Sequence, residues 1–225
     1  MLSCKKIIIT GPTAVGKSTI LQAVHKSLNS LFVPEYIDGR KDGLTMLNKY
    51  FTKAITSYDF QSYILDYYDN KLSALHPTKS DSIMFERAPD DAITCYSNMD
   101  NRDGRLSNKE FLSLYNKAKT LDLKYNIPSY LLGNSFVFTP VKSVDAKNTS
   151  KMMLSIIKST KQSNVFGLYH ATDVLWYRMA KRNRPGEKET YSHETLSDFN
   201  KHYRKLYMNM MYKRGLRFAT LGTLA

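Results

Sequence analysis

Hydrophobic and polar positions follow two different periods along this chain. Residues 5–10, KKIIIT, form a nearly continuous β-branched run, the pattern of a strand buried on both faces. GPTAVGKST follows at once, and ILQAVHKSL then places apolar residues at helical spacing. LFVPEYID, 31–38, predicts a second strand ending in acidic residues. Residues 44–75 contain no Pro or Gly and predict one or two helices. SIMFERAP, 82–89, and NVFGLYHA, 164–171, predict a third and a fourth strand. TDVLWYRMAKR predicts a helix capped by Thr172 or Asp173, HETLSDFNKHYRKLYMNMMYKR a last amphipathic helix, and LRFATL, 216–221, a final strand.

Strands alternating with helices imply an α/β fold: a parallel β-sheet with helices on both faces. Residues 98–163 are the least regular part. There NMDNRDGRLSN reads as a loop, KEFLSLYNKAKTL as a helix, and GNSFVFTPVKSVDAKNTS as irregular or a small strand pair. No repeat or linker divides the chain, which reads as one domain over 1–225 with an elaborated segment at 98–163.

Charge changes this picture. With 33 Lys and Arg against 20 Asp and Glu, the net charge of +13 suits a phosphate-rich ligand or a polyanion. The lysines are scattered, however, which equally describes ordinary solvated surface. Cys4 and Cys95 have no CxxC spacing and no partnered histidines, which argues against a disulfide framework or zinc site and points to a reducing, cytoplasmic setting. No apolar run reaches the ~18 residues of a membrane span, and MLSCKKIIIT is too short and wrongly ordered for a signal peptide.

The sharpest chemical signal is GPTAVGKS, which fits G-x4-G-K-[ST] in full. Gly11, Pro12, Thr13, Ala14, Val15 and Gly16 supply a backbone cradle for ATP phosphates, continued by Lys17, Ser18 and Thr19. The two glycines let N–H groups turn inward, Lys17 reaches the β and γ phosphates, and the Ser18 hydroxyl ligates magnesium. The following helix N-terminus favours anions. Its place between a strand pattern and a helix pattern is the confirming context.

Strand ends of such a sheet deliver carboxylates to the ligand crevice, here Glu35 and Glu86, the latter with Arg87 beside it. One such acid can take a proton from an attacking hydroxyl, and another can hold a metal. RMAKRNRPGE, 178–187, adds Arg178 and Arg182 on one helical face and Arg184 beyond. Like charges at that spacing repel by a few tenths of a kcal/mol unless an anion arrives between them. With Pro185-Gly186 to break the helix, the stretch predicts a closing cationic lid over transferring phosphate.

In order and rough spacing, GPTAVGKST, FVPEY, FQSYI, ERAP…CY and RMAKRNRPGE resemble the deoxyribonucleoside kinases, the lid stretch most closely those of herpesvirus type. The resemblance covers 5–97 and 164–190. It implies that Glu35 is the general base on a nucleoside 5′-hydroxyl, and that Glu86 and Arg87 serve the metal and the reacting oxygen. Ser18 and Glu86 are then the magnesium ligands, with Arg87, Arg178, Arg182 and Arg184 neutralising the moving charge. Gln61 matches a glutamine that pairs with the base edge, Tyr50 and Glu187 a pair that holds the sugar 3′-hydroxyl, and Tyr96 an aromatic stacked on the base. Relatives devoted to deoxycytidine carry Arg and Asp where this chain has Tyr68 and Ala92, so the pocket suits the thymine methyl.

The chain departs from the family at Tyr36 and Arg40, where Pro and Trp are usual, at Ala88, where Ser or His is usual, and at Asp100, where herpesvirus-type enzymes tend to have Arg. The expectation is a magnesium- and ATP-dependent thymidine kinase, a homodimer with small-molecule substrates and no stable nucleic-acid partner. Two alternatives stay open. Arg40 keeps a thymidylate kinase in view, although Glu35 is the wrong charge beside a monophosphate acceptor. A nucleotide-binding, nucleic-acid-associated protein would use the basic surface directly. The tyrosines of YILDYYDNKL read as packing, MNMMYK as core or dimer contact, and His25, His76, His170, His193 and His202 show no metal spacing.

Overall fold

The β-branched run becomes β1 (Lys5–Thr10), joined by β2 (Ser30–Val33), β3 (Ser82–Glu86), β4 (Val137–Lys142) and β5 (Asn164–Tyr169). In the computed structural model, which describes residues 4–75, 80–129, 136–184, 187 and 191–213, these form one parallel sheet ordered β2-β3-β1-β5-β4. The register Ile9↔Glu86, Thr10↔Gly167 and Lys142↔Tyr169 brings the carboxyl ends of the strands to one rim.

Alternation along β1 divides the core. Ile7 and Ile9 join Met84, Phe166 and Leu168 on one face, whereas Ile8 joins Phe85, Val165 and Phe138 on the other. The first face is covered by α1 (Lys17–His25) and α8 (Ala146–Ser159), through Ile20, Leu21, Val24, Met153 and Ile157. The second is covered by α4 (Ser57–Ser73), α7 (Asn108–Tyr125) and α10 (His193–Lys213). Tyr67 and Tyr68 are buried there, as are Met210 and Met211, so the aromatic and Met-rich stretches are core in large part.

Local chemistry explains where the elements differ from expectation. The second strand stops at Val33, because Glu35 already leads into the helical turn α2 (Tyr36–Gly39). Residues 44–75 fold as α3 (Gly43–Phe51) and α4, separated by a capping box. In that box the Asp59 N–H donates to Thr56 Oγ1, and the Thr56 N–H donates to the Asp59 carboxylate, 3.1 Å each. Neither Thr172 nor Asp173 caps α9 (Thr172–Arg182); Ala171 holds that position, while Thr172 accepts from Asn200 and Asp173 pairs with His193.

The irregular segment is largely regular. It holds α6 (Asn98–Arg102), which continues α5 (Pro89–Asp91) through a π-helical turn at Ala92–Ser97, then α7, β4 and α8. Where the sequence suggests irregular structure or a small strand pair, the described residues hold one edge strand, Val137–Lys142, and the edge tolerates Pro140, which has no N–H for a further ladder. Asp145 caps α8 by accepting the Asn148 N–H at 2.7 Å. LRFATL, Pro185, Gly186 and His76 lie outside the described residues.

Candidate active site

At the rim, the turn after β1 is built for backbone donation. Gly11 and Gly16 have φ of 148° and 100°, and Ala14 between them also takes a positive φ of 62°. A Cβ on Gly11 would sit 2.7 Å from the Leu168 carbonyl, so this position must be glycine. Lys17 is buried, with Nζ donating to the Pro12 carbonyl at 3.2 Å. Burial, helped by the nearby Arg87 charge, lowers its pKa to about 8.

Ser18 Oγ donates to Glu86 Oε1 at 2.7 Å. Burial pushes the Glu86 carboxyl above its usual range, against the pull of Lys17. A hydroxyl and a carboxylate side by side at the phosphate cradle make an all-oxygen donor set, which fits magnesium held by few protein ligands and phosphate oxygens. Glu35 stands opposite. Burial would raise its pKa, but Arg87, in direct contact with the carboxylate, prevails with Lys17 and the more distant Arg184 and Arg182 and holds it below the usual range. Arg87 takes φ 63°, an uncommon backbone for a bulky residue, and its Nη2 donates to the Gly11 carbonyl at 3.2 Å.

These groups open onto one cavity of about 850 Å³. Its wall includes Thr13, Ala14, Gly16, Lys17, Ser18 and Thr19 from the phosphate turn and the start of α1, and Tyr50, Tyr68, Ala92 and Tyr96 from α3, α4 and the π-helical turn, with Glu35, Glu86, Arg87, Arg178, Arg182, Arg184 and Glu187 also lining it. The size and the mix of apolar wall with a few charged groups suit a small-molecule site. A model of the deoxynucleoside kinase family matches residues 7–142.

The chain belongs to the deoxynucleoside kinase family.

Among solved structures, a deoxyadenosine kinase from M. mycoides with bound dATP is similar over 93% of this chain and 86% of its own, with 19% identity and a TM-score of 0.57. That likeness supports the P-loop kinase fold. No curated protein sequence matches the chain.

In this deoxynucleoside kinase the three arginines expected to form a lid go to three places. Arg178 donates to the Val15 carbonyl at 3.3 Å and to the Ser143 and Val144 carbonyls at 3.4 Å each. Arg182 pairs with Glu187, and Arg184 lies 3.9 Å from Asp38. Gly11, Pro12 and Val15 stand behind the cavity wall, as does Gln61, a buried residue whose Oε1 has no hydrogen-bond partner among the described residues. Arg40 is also outside the wall; it pairs with Asp42 at 2.9 Å and lies over the Tyr63 ring, 4.3 Å from its centroid.

Sequence reasoning missed several lining residues. Phe60 and Ile64 precede Tyr68 at steps of four on α4 and face the cavity with it, a spacing that was there to be read. Tyr191 and Arg105 carry no motif, and Asp100 stands out in the sequence only as a departure from the family pattern. Ser143, Val144, Asp145 and Ala146 reach the phosphate end only because β4 sits beside β5.

No helix among the described residues is long and apolar enough to cross a membrane.

Proposed function

We propose that this deoxynucleoside kinase transfers the ATP γ-phosphoryl group to the 5′-hydroxyl of its acceptor, and that thymidine is the preferred acceptor. The observation that carries this reading is Glu35: a carboxylate held ionised against Arg87 in the same cavity as the phosphate cradle. An ionised acid beside a nucleoside accepts the 5′ proton as the 5′ oxygen bonds to the γ phosphorus and the bond from phosphorus to the β–γ bridging oxygen breaks, releasing ADP. Lys17, Arg87, Arg182 and Arg184 neutralise the charge that moves with the phosphoryl group. Ser18 and Glu86 would hold magnesium, which would supply positive charge against the phosphate oxygens.

The acceptor end supports a neutral pyrimidine. Tyr96 has the Arg87 guanidinium 5.1 Å from its ring centroid and offers the base a stacking face, while Phe60, Ile64 and Ala92 leave apolar space for a methyl group. Gln61, the base-edge residue that the family resemblance implies, stands behind the wall with its amide oxygen unpartnered among the described residues and would meet a base only by turning into the cavity, whereas Tyr50 and Glu187 line the cavity and are assigned to the sugar. Arg40, which kept thymidylate in view, lies outside the cavity wall and pairs with Asp42 and Tyr63, and this favours a nucleoside acceptor over a monophosphate.

A steady-state kinase assay across the four deoxynucleosides and thymidylate tests this. ADP formation that depends on nucleoside, with the highest kcat/KM for thymidine, is the expected result. A clear preference for another deoxynucleoside removes the thymidine assignment alone. Preference for thymidylate overturns the acceptor assignment, and nucleotide binding with no acceptor-dependent turnover overturns the whole reading.

A further inference from the structure

The acceptor half of the cavity holds a carboxylate with no part in the phosphoryl transfer described above. The Asp100 side chain, on α6, is only 4% exposed, yet it lines the cavity. Arg105 Nη2 lies 2.7 Å from its Oδ1, Ser57 Oγ donates to Oδ2, and the Tyr50 hydroxyl donates to both oxygens at 3.2 Å. Arg105 Nη1 in turn donates to the Tyr50 hydroxyl oxygen at 3.2 Å. Burial works against ionisation of Asp100, but three donors, one of them cationic, converge on it.

Hydrogen-bond inventory fixes the direction of every contact. An ionised carboxylate can only accept and a guanidinium can only donate. The single Tyr50 proton is therefore spent on Asp100, and one lone pair of the Tyr50 oxygen is taken by Arg105. What remains is an acceptor position. The ring that presents it is held by stacking on Phe60, with centroids 4.5 Å apart and planes 9° apart.

We infer that Asp100 is a specificity-determining residue, which keeps the Tyr50 hydroxyl a hydrogen-bond acceptor and so selects substrates whose sugar offers a donor hydroxyl there. This rests on the deoxynucleoside reading above. A deoxynucleoside has two sugar hydroxyls; the 5′ group reacts beside Glu35, which leaves the 3′ group to donate to Tyr50. Glu187 accepts from Arg182 in this structure, and Tyr50 presents the acceptor position that its own network leaves open. A nucleoside without a 3′-hydroxyl leaves the Tyr50 oxygen unpaired in a desolvated site, the kind of mismatch that enzymes reject strongly.

The test compares the best deoxynucleoside substrate with its 3′-deoxy counterpart, in the wild type, Asp100→Asn, Tyr50→Phe and the double variant. The wild type is expected to prefer the 3′-hydroxyl by on the order of 100-fold in kcat/KM. Asp100→Asn should lose about 10-fold or more on the deoxynucleoside but less than about 3-fold on the 3′-deoxy compound, with the KM for ATP unchanged. Tyr50→Phe should erase the same preference, and the double variant should be no worse than Tyr50→Phe.

Equal losses on both substrates make Asp100 merely structural and overturn the inference. If Asp100→Asn does not fold, Tyr50→Phe decides: an undiminished 3′-hydroxyl preference overturns it just as firmly. A wild type that phosphorylates no deoxynucleoside overturns the functional reading and this inference together, an outcome distinct from normal turnover with equal losses.

Discussion

The two halves of the cavity are built by different means. The donor half is mostly main chain: one uninterrupted turn, two glycines at positive φ, and a buried lysine whose charge is held against a carbonyl. The acceptor half is side chains from α3, α4, the π-helical turn, α6 and the segment before α10, brought together by packing. A backbone cradle serves any triphosphate, since every residue of the turn except Pro12 offers the same N–H. Discrimination among acceptors needs side chains of particular shape and polarity, and those are scattered through the chain.

If the halves are separable in function, removing the base should leave donor binding alone. Glu35→Gln is expected to lower kcat by about 10²–10⁴-fold, with ATP affinity in equilibrium binding essentially unaltered. The glutamine keeps the shape of the side chain and can still accept from Arg87, but it cannot take a proton at neutral pH. A parallel collapse of ATP binding would show that Glu35 holds the cradle together and that the two halves are one unit.

The same contrast explains what could be read from the sequence. Gly11–Ser18 was legible because its chemistry is local: the strand before it, the helix after it and the spacing within it are all contiguous. Glu35, Glu86 and Arg87 were legible as strand ends, and the sheet places all three at the cavity. Asp100 was visible only as a departure from the family pattern, because its meaning depends on Ser57, Tyr50 and Arg105 from other segments. The edge strand β4 was obscured by Pro140 and by a short, mixed run that only pairing to β5 stabilises. For α8 the difficulty was polarity, since Thr149 and Ser150 share its buried face with Met153 and Ile157.

The donor half should carry its own pH signature. With Lys17 at about 8, the free enzyme loses the positive charge that meets the phosphates as pH rises through that value. ATP affinity should weaken by up to about tenfold per pH unit above it, whereas nucleoside affinity should not follow. The sign for folding is opposite. The unfolded chain keeps this lysine protonated to about 10.5, so between about 8 and 10.5 the native state binds fewer protons, and this lysine makes stability rise with pH. KM for ATP measured from pH 7 to 9.5, alongside KM for nucleoside, checks this; parallel pH profiles would place the titrating group elsewhere.

The smallest effect probes what positions the cradle. Ser143 Oγ donates to the Val15 carbonyl at 2.6 Å, its own N–H donates to the Tyr169 carbonyl at 3.0 Å, and Arg178 donates to the same Val15 carbonyl. The end of the edge strand is thus tied to the middle of the phosphate turn, and Arg178 acts there as a brace in the structure. Ser143→Ala should raise the KM for ATP by about 3- to 10-fold, the cost of one buried hydrogen bond, while the nucleoside KM and the 3′-hydroxyl preference stay put. The loss should remain modest because Arg178 still holds the carbonyl, so Arg178→Met combined with Ser143→Ala should exceed the sum of the two single effects. Strict additivity would mean that the two groups act on ATP separately. A change in nucleoside KM would show that the turn and the acceptor pocket move together, contrary to the division drawn here.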